Sequence, residues 1–192
     1  MASQPQPRLT PLDYLEIERK AEYKSEFYRG TMFALAGASR EHNLLAVNLS
    51  RELSQQLRSR PCEVYPSDMR VNVSETGLYT YPDLVVVCGQ PRFADGHLDT
   101  LLNPTLLAEI LSPSTEAYDR GRKFEHYRAI ESLQEYLLVA ADRMRVDLYV
   151  RQSDGRWLLN TASLPQETLE LRSIGCSLRL SDLYEKVELP EA

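Results

Sequence analysis

Asp83 opens the run Asp83-Leu84-Val85-Val86-Val87-Cys88, directly after Tyr81-Pro82, and Glu109 sits inside Leu106-Leu107-Ala108-Glu109-Ile110-Leu111 with no other polar neighbour. Lys123 follows on a stretch that reads as a helix. A carboxylate in the middle of a buried strand is expensive unless a cation or strong hydrogen bonds compensate it. Two such carboxylates on neighbouring strands, with an ammonium nearby, form a divalent-metal site able to activate water. Side chains alternate along a strand, so Glu109 shares a face with Leu107 and Leu111. Asp83 and Glu109 are separated by enough chain for a turn and a return strand, and strands adjacent in sequence are often adjacent in space. The expectation is that the two carboxylates converge, with oxygens within roughly 3–6 Å, and share one ion.

Thr115, Asp119, Lys123 and Tyr127 recur every four positions and form one polar stripe on the helix read over 116–130, which could face the carboxylates. Bland readings exist for each residue. Glu109 and Lys123 could form a buried ion pair without catalysis, and Lys123 could be only an exposed partner of Asp119. His42 edges an apolar helix face, where a hydrogen-bonded core histidine competes with a catalytic one. Asp68 lies on the polar face of its strand and could be merely solvated. Glu26 occupies an exposed-looking strand position, while Glu125 and His126 point away from the Lys123 stripe and read as surface groups.

The elements that must position these groups are legible in outline. Thr10-Pro11 starts a helix with Thr10 as cap and Pro11 at the first position, running to about Lys20. Residues 23–29 and 32–36 read as a hairpin across Arg29-Gly30-Thr31. Ser39 caps a helix whose Leu45, Leu49, Leu53 and Leu57 recur every four positions. Residues 62–65 suggest a short strand, and Met69, Val71 and Val73 alternate with polar neighbours as in a half-buried strand. Residues 83–88 and 105–111 are buried strands separated by a loop over 89–104. Four further strands are expected at 135–139, 145–151, 157–161 and 169–171, with Asp154-Gly155 as a hairpin signal, then a short helix over 181–186. The pattern is α+β: a central mixed sheet flanked by a few helices.

Composition sets broad limits. A chain of 192 residues fits one domain over 10–192 with a core that needs no staples, preceded by a Pro/Gln-rich tail over 1–9 read as disordered. No apolar run approaches membrane-spanning length, so a cytoplasmic protein without membrane contact is expected. Cys62, Cys88 and Cys176 are few and far apart, and read as buried thiols, neither a disulfide frame nor a zinc site. The net charge of −6 argues against a broad, non-specific nucleic-acid coat but allows a local basic groove.

The Asp83, Glu109 and Lys123 pattern resembles the PD-(D/E)XK nuclease superfamily, with Pro82-Asp83 as the first element and Glu109 as the second. It departs where the family motif has lysine two positions after the second acid, because Leu111 stands there. Some members carry that lysine on the next helix, which makes Lys123 the candidate. The phrases Tyr-Pro-Asp-Leu-Val-Val-Val, Glu-Ile-Leu-Ser-Pro-Ser-Thr and Tyr-Asp-Arg-Gly-Arg-Lys-Phe-Glu-His-Tyr look like the bacterial "putative restriction endonuclease" family, a resemblance that extends from Thr10 to about Tyr184. It implies a restriction-endonuclease-like fold and Mg²⁺ (or Mn²⁺) held by Asp83 and Glu109. It further implies Lys123 orienting or deprotonating the attacking water, an accessory acid at Glu26, and DNA as substrate. Superfamily members commonly pair, so a homodimer is expected, with Tyr149 and Trp157 or the 39–58 helix as apolar contact. Two competing readings are an inactive nucleic-acid-binding or regulatory module of the same fold, and a structural domain whose acids and lysine form an ion-pair network.

Overall fold

The computed structural model describes residues 8–190. Its first half runs α1 (Pro11–Glu18), β1 (Ser25–Tyr28), β2 (Thr31–Ala34), α2 (Arg40–Leu57), β3 (Cys62–Pro66), β4 (Arg70–Val73), β5 (Leu78–Thr80), β6 (Leu84–Cys88), β7 (Thr100–Leu101) and β8 (Leu106–Leu111). Next come α3 (Glu116–Tyr118), a π-helical turn over Asp119–Lys123 and α4 (Phe124–Tyr127). The chain then continues through β9 (Glu135–Ala140), β10 (Val146–Arg151), β11 (Trp157–Ala162), β12 (Thr168–Leu171), β13 (Cys176–Arg179) and α5 (Leu180–Leu183). Of the expected tail over 1–9, residues 1–7 lie outside the described residues, and the Leu9 amide donates to the Gly30 carbonyl.

The architecture is α+β, with mixed sheets and few helices, as the patterning implies. A six-stranded sheet has the order β11-β10-β9-β8-β6-β3, a five-stranded sheet the order β2-β1-β5-β4-β7, and β12-β13 form a separate pair. The pairing of β8 with β9 is parallel and the others in the six-stranded sheet are antiparallel. Three short strands, β5, β7 and β13, were not expected: β5 and β7 span only three and two residues, and the alternation of β13, Cys176-Ser177-Leu178-Arg179, covers only four. The β4 strand is buried along its whole length, not half-buried, because its polar face is also covered: Arg70 bonds the Thr100 and Tyr81 hydroxyls and Asn72 the Leu78 carbonyl.

The two faces of the six-stranded sheet carry different cores. Leu45, Leu49, Leu53 and Leu57 of α2 pack with Leu84, Val86, Ala108 and Ile110 on one face. Val85, Val87, Leu107 and Leu111 pack on the other with Tyr127, Ile130, Leu133 and Tyr136. The odd-numbered residues of β6 and β8 therefore face the helical turns over 116–127, and by strand alternation so do Asp83 and Glu109.

The expectation of three free thiols is corrected here. Cys62 and Cys88 stand opposite one another in the β3–β6 register and form a disulfide, with Cα atoms 4.0 Å apart. A separation of 26 residues hid a pairing that only the register creates. Cys176 remains a buried thiol. No helix among the described residues is long and apolar enough to cross a membrane.

Candidate functional site

The β6–β8 register brings the two central acids together. Leu84 pairs with Ala108 in antiparallel fashion, so one step beyond that pair Asp83 meets Glu109. Asp83 Oδ2 accepts a 2.7 Å hydrogen bond from the Ile110 amide and lies 3.2 Å from His42 Nε2. That backbone bond ties Asp83 to the strand carrying Glu109. His42 comes from the N-terminal part of α2, which Ser39 caps by accepting from the His42 amide. The α2 helix covers the opposite face of the sheet, and His42 reaches Asp83 just where β6 begins.

Glu109 is buried, 4% exposed. Its Oε1 accepts from the Tyr127 hydroxyl at 2.7 Å and lies 2.9 Å from Lys123 Nζ. Lys123 is equally buried and also approaches Glu26 Oε1 at 3.4 Å and Asp119 Oδ1 at 3.6 Å. The helix expected over 116–130 breaks into α3, the π-helical turn and α4, and the π-helical turn carries both Asp119 and Lys123. Wide turns of this kind recur at functional sites. Of the expected stripe, Asp119, Lys123 and Tyr127 face inward while Thr115 is exposed and bonds Ser112, and Lys123 is no exposed helix-surface lysine.

Glu26 arrives from the five-stranded sheet. Phe27 packs toward Tyr14 and Leu15 of α1, so Glu26 and Tyr28 point the other way, toward the helical turns. Glu26 meets Lys123 and accepts from the Thr80 hydroxyl, while the Tyr28 ring packs edge-on against His126 with centroids 4.8 Å apart. Two expectations are thereby overturned. Glu26 is buried, not exposed, because the helical turns close over β1, and His126 is buried under Tyr28. Burial lowers the His126 pKa, which favours its neutral form.

All five residues singled out from the sequence, Asp83, Glu109, Lys123, Glu26 and His42, thus meet in two contacting groups bridged by the paired acids. Asp68 does not join them: it is exposed and bonds Lys24 at 2.9 Å. Asp119 and Tyr127 belong to the same cluster. Their four-residue spacing with Lys123 was the signal that marked them.

Electrostatics set this cluster apart. Burial pushes the Glu109 carboxyl well above the ordinary carboxylate range despite Lys123, with Asp119 and Asp83 adding to the rise. Asp119 is raised by burial too. Burial acts against the Lys123 charge, yet Glu109, Glu26 and Asp119 together hold its pKa well above the lysine norm. One ammonium is shared by three buried carboxylates, with Asp83 beside them.

The donor set suits a hard divalent cation. The contacts of Asp83 fall on Oδ2 and those of Glu109 on Oε1, so among the described residues no hydrogen bond falls on Asp83 Oδ1 or Glu109 Oε2. Both acids line a cavity of about 780 Å³. No group of three His, Cys, Asp or Glu side chains among the described residues is arranged to hold an ion alone.

Residues 11–181 match the Uma2 family, described as "Putative restriction endonuclease". The "Uncharacterized protein sll1609" of Synechocystis sp. is 43% identical over 151 residues, 79% of this chain and 85% of that protein. The "Uncharacterized protein slr1290" of the same organism is 38% identical over 182 residues, 95% of this chain and 94% of that one. A crystal structure of "a putative nuclease belonging to DUF820" from Anabaena variabilis superposes with a TM-score of 0.75, covering 94% of this chain and 99% of that one. At 17% identity the likeness establishes the fold.

Proposed function

Because this chain belongs to the Uma2 family, described as "Putative restriction endonuclease", we propose that it is a metal-dependent endonuclease hydrolysing DNA phosphodiester bonds. Asp83 and Glu109 would hold Mg²⁺ or Mn²⁺. The cation would supply Lewis-acid stabilisation of charge building on the scissile phosphate and lower the pKa of water in the site. The observation that carries the reading is the excess of acid: three buried carboxylates around Lys123, with Asp83 adjacent. A structural ion-pair network gains nothing from that imbalance, whereas a cation site needs it.

This chain's own groups divide the remaining work. Lys123 stays protonated in its acid-rich setting, so it orients the attacking water as a hydrogen-bond donor and does not abstract its proton. Tyr127 and Lys123 fix Glu109 Oε1 and leave the other oxygen for the cation. Glu26, itself held by the Thr80 hydroxyl, and Asp119 flank the ammonium. The Ile110 amide and His42 fix Asp83 in the same one-sided way.

Covalently closed circular DNA, double- and single-stranded, incubated with Mg²⁺ or Mn²⁺ tests the proposal. Nicked and linear products from the wild type, absent with Asp83→Ala and Glu109→Ala, are expected; no cleavage with either metal overturns it. A homodimer belongs to the same proposal. Tyr149 and Trp157 pack inward on Phe124, so on β11 the exposed apolar groups are Leu158 and Leu159. Light scattering showing a strict monomer at high concentration would remove that part.

A further inference from the structure

The walls of the cavity narrow the substrate class, and the inference rests on the nuclease reading above. Glu109 and Lys123 are only 4% and 5% exposed, so a phosphodiester must enter the cavity to reach them. Three chain segments form its rim: the stretch leading into α2, the Ser112–Thr115 loop, and the C-terminal Glu188–Pro190. Its volume of about 780 Å³ falls in the range of small-ligand pockets. An intact duplex, whose major groove alone is about 12 Å wide, needs a far broader surface.

The charges on the walls point the same way. Glu41, Asp83, Glu109, Asp119, Asp142 and Glu188 line the cavity against Lys24 and Lys123. Both lysines are already engaged, Lys24 with Asp68 and the Ser67 carbonyl, Lys123 with Glu109. No arginine is among the described residues that line it. Duplex binding relies on rows of Lys and Arg that neutralise several phosphates and release their counterions. This cavity instead offers small apolar groups and hydroxyls, including Ala38, Ser112, Ser114 and Thr115, that suit a base and a sugar.

We infer that the site takes a phosphodiester flanked by unpaired nucleotides, such as a single-stranded end or flap, in preference to one within intact duplex. The strand threads past the rim and presents one phosphate to Asp83 and Glu109, while few other phosphates touch the protein.

Fluorescence anisotropy of the full chain in Ca²⁺ tests this, with a labelled single strand and a blunt hairpin duplex of the same sequence as probes. The single strand should bind at least about tenfold more tightly, with a shallow salt dependence reflecting few phosphate contacts. Glu188→Lys, at an exposed rim position, should tighten the single strand about threefold and leave the duplex unchanged. Equal or tighter binding of the duplex, or an equal gain for both probes in Glu188→Lys, overturns the inference even where cleavage is observed. Cleavage assays on the same two probes in Mg²⁺ separate the two ideas: rapid cutting of blunt duplex defeats the preference and keeps the nuclease. The absence of cutting defeats the nuclease reading, and the anisotropy ratio still decides the preference.

Discussion

Asp147 and Glu109 are both buried carboxylates on strands of the six-stranded sheet, and their surroundings drive them in opposite directions. Burial alone would raise Asp147, but hydrogen bonds from Arg145, Thr161 and Arg120 outweigh it and hold its pKa below the ordinary value. Its contacts are 2.6 Å to Thr161, 2.7 Å to Arg120 and 3.1 Å to Arg145; Arg120 is shared with Glu116 at 2.7 Å, so the two arginines match the two acids there. Glu109 shares one lysine with Glu26 and Asp119 and is pushed well above the ordinary range. A buried charge used for structure is matched or overmatched by its partners. Glu109 is left short of partners, and under the proposed function that shortfall is what a cation and a substrate would supply.

The sharpest way to break that comparison is to remove each acid. Asp83→Ala and Glu109→Ala should lower DNA cleavage on the order of 10³-fold and abolish any rise in melting temperature with Mg²⁺, read by plasmid nicking and calorimetry. Glu109→Gln should lose the metal response as well, yet melt no lower than wild type in its absence, since it removes a charge from an overloaded cluster. Asp147→Ala should do the reverse. It removes one of the two acids that hold Arg120 and the partner of the half-exposed Arg145, and should lose about 1–3 kcal/mol of stability in urea unfolding, with the metal response of the folded fraction intact. If Glu109→Gln and Asp147→Ala lose stability equally, the contrast between the two sites is wrong.

Lys123→Ala should lower cleavage about 10²-fold, as expected for loss of one positioned donor. It should also destabilise the metal-free protein by leaving three acids without their cation, and added Mg²⁺ should restore part of that loss. Wild-type cleavage by this variant would remove Lys123 from the mechanism. Arg128→Glu, at an exposed position, should change stability by no more than about 0.5 kcal/mol and serves as the control.

The acidity of the two sites separates them more gently. Glu109 binds its proton more tightly when folded, so its contribution to stability declines as pH rises from the ordinary value of 4.5 toward its raised folded value. Asp147 is depressed, so its contribution is present above the ordinary value of 3.8 and is lost as pH falls through its lowered folded value. Denaturation curves across pH should therefore show Glu109→Gln flattening the decline above 4.5 while keeping the acid limb. An unchanged slope there would mean that Glu109 is not perturbed in the folded protein.

Much of the site was readable because the local signals are strong. An acid inside Leu106–Leu111, an acid after Tyr81-Pro82 and a lysine four residues from Asp119 and Tyr127 are anomalies that periodicity exposes without a structure. The burial of Glu26 and His126 was not readable. Four residues of β1 carry no pattern that tells a solvent face from one covered by a distant helix, and the covering segment lies about a hundred residues away. The wide turn over Asp119–Lys123 was equally hidden, since its composition is compatible with an ordinary helix.

By itself the sequence determined the α+β class, the buried strands with their two acids, the capped first helices and the stripe that carries Lys123, because apolar periodicity and helix caps act over a few residues. Only the tertiary structure decided that Cys62 and Cys88 join, that Glu26 crosses from a second sheet to Lys123, and that the acids outnumber their cation in one cavity. Those outcomes depend on strand register and on which surfaces close over one another. Register is a long-range choice: one residue of slip moves every side chain to the other face.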